Sequence, residues 1–163
     1  AAIGSNIPVT EPQGNMIIDI GKLTDTEEKA IRIRDNIQLE FKKLLEHDFK
    51  GKRALYLIWK NPFMSINQNR FIHDMMQRCG LVNVIEGEID YPEISEKEIA
   101  KINPALILLS SEPFPFKEKH INEFHNICPE ALVMLVDGEY FSWYGSRLLA
   151  APNYFIGLIE KMA

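Results

Sequence analysis

Between Ala30 and Leu44 the apolar side chains Ala30, Ile33, Ile37, Phe41 and Leu44 recur three and four residues apart. That spacing lines one face of an α-helix, with charged residues filling the others. It predicts a single amphipathic helix of about six turns, from Thr26 to His47. Thr24-Asp25-Thr26-Glu27 supplies capping-box spacing at its start. Ahead of it a short helix is predicted over 13–20 through Met16, Ile17 and Ile20, with Gly21 placed to stop it as a left-handed residue. Asn6-Ile7-Pro8-Val9-Thr10 reads as the end of a strand.

Beyond residue 50 the pattern changes. Runs without alternation occur at 54–59 (ALYLIW), 105–109 (ALILL) and 131–136 (ALVMLV), with a shorter one at 82–85. Between them lie segments with helical spacing: 67–79, 95–102 closed by Pro104, 116–128, and 145–162 with an interruption at Pro152. Short continuous apolar strands separated by helices mark a parallel sheet covered on both faces. The class is therefore α/β: a mainly parallel sheet with helices on both faces, preceded by one long helix.

In open sheets of this kind ligands collect beyond the carboxyl ends of the strands. The segments that fall there are 60–65, 90–93, 110–116 and 137–147, and all four carry aromatic residues with prolines or glycines. Any one aromatic could fold back onto the core. Together they describe a broad apolar rim with few polar groups, suited to a large flat ligand. Phe63, Tyr91, Glu112, Phe114, Phe116, Trp143, Tyr144 and Arg147 are the candidate contacts. Glu112 reads as a capping or ligand-hydrogen-bonding group. Arg147 is open between a ligand carboxylate or phosphate and a bridge to Asp137 or Glu139.

Composition removes several alternatives. The formal charge is −5 and no long one-sign block occurs, which argues against nucleic acid as a partner. No apolar run approaches the ~20 residues that span a bilayer. Cys79 and Cys128 have no metal-ligand spacing and read as free, partly buried thiols. His120 and His125 do not stack on one helix face, and with His73-Asp74 they read as surface residues rather than metal ligands. No P-loop, GxSxG, GxGxxG or HExxH is present. A small α/β hydrolase or transferase using Glu112 and a histidine, or a sensor domain on the same fold, remain the minority readings. No catalytic residue, metal site or cofactor is assigned.

Several elements resemble a known family. Ile7-Pro8-Val9, Ile20-Gly21-Lys22-Leu23-Thr24 and Glu27-Glu28-Lys29-Ala30 look like the interdomain stretch of class III periplasmic binding proteins. Those proteins join two α/β lobes through one helix and serve ABC importers of cobalamin, haem and ferric siderophores. Asn61-Pro62, Cys79-Gly80-Leu81-Val82-Asn83-Val84, Tyr91-Pro92-Glu93-Ile94-Ser95, Asn103-Pro104 and 111–116 (SEPFPF) resemble that family's C-terminal lobe in order and spacing. The resemblance implies an end of the interlobe connection over 1–23, a backbone helix over 24–50 and a C-terminal lobe over 51–163. It implies an N-terminal lobe and an export leader that this sequence does not contain, so a truncated or proteolysed product is expected over a native half-protein. It also implies an extracytoplasmic location, an importer permease as partner and a metal–organic complex as ligand. Tyr91 takes the place of the family's cleft aromatic. The glutamate that docks on the permease usually falls two residues after the serine of this element; here that position is Lys97, so Glu96 or Glu98 is the expected substitute.

Overall fold

The computed structural model describes residues 11–47 and 50–161; the strand expected over 6–10 lies outside the described residues. In chain order the elements are α1 (Glu11–Leu23), α2 (Glu27–Lys42), β1 (Arg53–Leu57), α3 (Phe71–Arg78), β2 (Val82–Asn83), α4 (Glu96–Ile102), β3 (Leu106–Ser110), α5 (Glu118–Ile127), β4 (Leu132–Val136), α6 (Gly138–Ser142) and α7 (Arg147–Glu160). They divide into two compact units, one holding α1, α2 and α7 and the other holding the sheet with α3 to α6.

In the helical unit α2 follows the predicted stripe. Ala30, Ile37, Phe41 and Leu44 are buried, and the helix tightens into a 3₁₀ turn over Lys43–Glu46. The two expectations at its entry are corrected. Gly21 does not stop α1 but lies inside it, where an added Cβ would stand 2.4 Å from the Ala30 Cβ; the glycine lets two helices touch. The left-handed residue of the connection is Asp25, at φ 53°. Thr24 and Glu27 form no capping box: the N-cap is Thr26, without a side-chain cap bond, and Thr24 Oγ1 donates back to the Ile20 carbonyl at 2.8 Å. Pro152 does not interrupt α7. It sits buried in the second turn of a continuous helix, forfeiting one backbone hydrogen bond without ending it.

The sheet has order β2-β1-β3-β4, every pair parallel, with Ala54 opposite Leu106 and Leu106 opposite Leu132. Alternation along β1 divides the core. Leu55 and Leu57 join Ile107, Leu109 and Val133 beneath Ile99 of α4, Phe124 of α5 and Cys128, which caps α5. Tyr56 points to the opposite face and packs on Phe141 of α6, ring centroids 5.1 Å apart. Full burial of such large side chains contributes ~1.5–3 kcal/mol each. α4 starts on a complete capping box: Ser95 Oγ accepts the Glu98 N–H at 3.3 Å, and the Ser95 N–H donates to Glu98 Oε2 at 2.8 Å. Asn103, left-handed at φ 46°, ends it.

Cys79 and Cys128 are free and buried, and burial pushes both thiols up in pKa. His125 is exposed, but His120 is not the surface residue expected. Its ring lies edge-on to Phe116 at 5.5 Å, and Nδ1 accepts the Lys117 N–H at 2.9 Å, closing the first turn of α5. Burial, with Lys60 and Lys119 nearby, holds its pKa below the usual histidine value.

Candidate functional site

The order β2-β1-β3-β4 places a topological switch point between β1 and β3, because the chain leaves β1 toward one side and resumes on the other. A crevice for ligand is expected at the carboxyl ends of these two strands. Both run directly into a cis-proline turn, Asn61-Pro62 after β1 and Glu112-Pro113 after β3.

After β1 the backbone folds into a tight hairpin. The Ile58 N–H donates to Met64 O at 3.0 Å and the Met64 N–H to Trp59 O at 3.1 Å. Met64 in turn bridges Glu93, and three further bonds continue the pairing: Ile94 N–H to Phe63 O at 2.9 Å, Ser65 N–H to Pro92 O at 3.0 Å and Asn67 N–H to Asp90 O at 3.2 Å. Fully buried Asn67 fastens this patch, its amide donating to Gly87 O at 3.0 Å while its oxygen accepts from the Asn69 N–H. The loop after β3 is stitched on by the Phe114 N–H, which donates to Ile58 O at 3.1 Å.

This scaffold presents two large aromatics to solvent, Trp59 at 40% and Tyr91 at 46% exposure. They stand on backbone segments that flank Met64 on either side. Phe114 is half-buried behind Trp59, at 5.9 Å in an edge-on arrangement. Trp59 was not among the expected contacts. It closes the apolar run that forms β1 and so reads as one more core residue; its parity with Leu55 and Leu57 means nothing once the strand has ended at Leu57.

Phe63 and Phe116, both expected at the rim, are buried instead at 8% and 5%. Phe63 packs on Phe124 at 5.1 Å and Phe116 on Phe114 at 4.8 Å, so both anchor the loops from beneath. Lys60 pairs with Glu123 of α5 and lies 5.8 Å from the Phe63 ring, pinning the same turn. Glu112 is half-buried and fastens its own loop: Oε1 accepts from Ser142 Oγ at 2.9 Å, and its Cγ lies 2.6 Å from where a Cβ on Gly138 would stand. Its carbonyl accepts Ser110 Oγ at 2.6 Å, and Ser110 Oγ also accepts from Tyr56 OH at 3.1 Å. The segment 138–142 was expected to be loop and forms α6, with the Gly138 N–H on Ser111 Oγ at 2.9 Å.

Trp143 and Tyr144, on the approach to α7, and Arg147, its first residue, belong to the helical unit. Both rings are about half exposed, and the Arg147 guanidinium lies 5.9 Å from the Trp143 ring centroid. At α4 the two docking candidates separate. Glu98 is committed to its cap, and the hydrogen bonds from Ser95 hold its carboxyl below the usual glutamate range. It is thus not the unpartnered charge the docking expectation required. Glu96 is exposed and makes no hydrogen bond or ion pair among the described residues.

Chemically, the edge offers the exposed aromatic faces of Trp59 and Tyr91. Among the described residues no group of three or more His, Cys, Asp and Glu side chains could hold a metal ion, and no helix is long and apolar enough to cross a membrane. His73 Nδ1 lies 3.4 Å from Asn83 Nδ2 and His120 Nδ1 is held by the Lys117 amide, so both are engaged within the fold.

This α/β unit is an open parallel sheet with exposed aromatics at its switch point. Its fold is that of the class III periplasmic binding proteins. The periplasmic vitamin B12-binding protein of Vibrio cholerae superposes with a TM-score of 0.73 at 16% identity, covering 98% of this chain and 64% of its own. A periplasmic haem-binding protein from Pseudomonas aeruginosa gives 0.77 at 12% identity, covering 99% and 62%. A protein from Staphylococcus epidermidis, named as a possible iron-binding (periplasmic solute-binding) protein, gives 0.73 at 16%, covering 92% and 61%. The chain spans less than two thirds of the length of each. No protein-family model matches it, and no curated protein matches it in sequence.

Proposed function

We propose that this chain is the C-terminal lobe, with its connecting helix, of the substrate-binding component of an ABC importer. It captures a bulky metal–organic complex (cobalamin, haem or a ferric siderophore) outside the cytoplasm, together with an N-terminal lobe, and delivers it to the permease. The observation that carries this reading is the pair of solvent-facing aromatics, Trp59 and Tyr91, on a fastened backbone at the switch point of the sheet. The fold shared with binding proteins for vitamin B12 and haem supports it. Capture requires no bond-making: ring faces exclude water from the ligand at ~25 cal/mol per Å² of apolar area. The test is a titration of the full-length protein with haemin, cyanocobalamin and a ferric hydroxamate, followed by tryptophan fluorescence and ligand absorption. Saturable binding of one class at micromolar or tighter affinity is expected; no binding of any would end the proposal.

Glu96 is the docking carboxylate on this reading, since Glu98 is spent on its cap. Rim charges act on encounter rate more than on stability. Glu96→Lys is therefore expected to leave ligand affinity and melting temperature unchanged and to slow association with the permease about tenfold at low salt, less at ~0.15 M. An unchanged rate with the importer in lipid discs would place docking elsewhere.

A further inference from the structure

Arg70, the residue ahead of α3, sets its guanidinium over one face of Tyr91, with Cζ 5.3 Å from the ring centroid. Nη2 is tied to Asp90 Oδ2 at 2.6 Å. The arrangement is fixed from behind, because Asn67 holds the Asp90 carbonyl and the His73 N–H holds the Arg70 carbonyl at 2.9 Å. Hydrogen bonding to Tyr91 raises the Arg70 pKa, so the group stays charged at every relevant pH. A guanidinium has five N–H donors. Here Nε is buried and has no hydrogen-bond partner among the described residues, while a third of the side chain as a whole is exposed.

The surroundings of Tyr91 are otherwise acidic. The connection from β2 to α4 carries Glu86, Glu88, Asp90 and Glu93. Among these carboxylates Arg70 is the cation set on the Tyr91 ring.

We propose that Arg70 is a specificity-determining residue: stacked on Tyr91, it makes this edge select flat ligands bearing peripheral carboxylates over neutral ligands of the same shape. The inference rests on the binding-protein reading and narrows its ligand class. The exposed part of the Arg70 side chain can meet a carboxylate at the ligand's rim, a charge-assisted contact that a neutral ligand of the same shape cannot make.

The probes are iron protoporphyrin IX, which carries propionates, and its dimethyl ester, with the same metal and ring but no carboxylates. Both are titrated into the full-length protein by porphyrin absorbance, at low salt and at ~0.15 M. The free acid is expected to bind about tenfold tighter than the ester, most clearly at low salt. Arg70→Gln should abolish that preference, weakening acid binding far more than ester binding. Asp90→Asn, which releases Arg70 from its pair, should strengthen acid binding, and Arg70→Lys should keep part of the preference. If Arg70→Gln melts early, the Lys and Asp90→Asn variants carry the test. Equal binding of acid and ester, a preference that survives Arg70→Gln, or binding confined to cobalamin or a neutral siderophore would overturn this inference and leave the binding-protein reading standing. Absence of binding to every probe would overturn both.

Discussion

Trp59→Ala in the full-length protein is expected to weaken ligand binding about 30–100-fold while leaving the fold intact. The estimate follows from area: a stacked indole removes roughly 100 Å² of apolar surface from water on its free face, which at ~25 cal/mol per Å² is about 2–3 kcal/mol. Trp59 can lose its side chain cheaply because it is 40% exposed and its backbone, not its ring, makes the bonds to Met64. Its ring contact with Phe114 contributes only ~0.5–1.5 kcal/mol beyond burial. Calorimetry is the appropriate readout, since the substitution removes one of the two tryptophans. Trp59→Phe should restore most of the affinity by retaining a flat face. An alanine variant that binds as tightly as the parent would move the ligand away from the β1 edge and remove the observation on which the proposed function stands.

The sequence makes the class of fold plain because it depends on redundant signals. Each of β1, β3 and β4 is a run of apolar residues too short for a helix, and each is separated from the next by a segment of helical period. Ser95 and Glu98 give the start of α4 with no tertiary information, since both partners of the cap lie within one turn. Other features depend on what the chain meets later. A glycine near a helix end looks like a stop, yet Gly21 is explained only by Ala30 packed against it. Thr24 had the right spacing for a cap and instead bonds backward to Ile20. At the site the aromatic residues were visible but their directions were not. Phe63 and Trp59 lie on the same hairpin; one turns inward to Phe124 and the other outward, a choice made by the register of the Met64 pairing. Arg70 gave no signal at all, because its meaning lies in Asp90 and Tyr91, on another connection.

The two sides of that hairpin supply the second large effect. Phe63→Ala is expected to cost about 3–5 kcal/mol of folding stability, the range for emptying a buried phenylalanine site. Phe63 is 8% exposed, meets Phe124 at 5.1 Å and lies under the Lys60 ammonium, so its removal opens a cavity that neither α5 nor the strand can fill without moving. In urea the midpoint should fall with little change in slope, as for a loss of stability rather than of compactness in the unfolded state. Under conditions where the variant is still folded, ligand affinity should drop by far less than in Trp59→Ala, because Phe63 presents almost no surface to a ligand. The two substitutions therefore dissociate: Trp59 costs binding and spares stability, Phe63 the reverse. A Phe63→Ala protein with an unchanged urea midpoint and lost affinity would show that this ring, not its neighbour, faces the ligand.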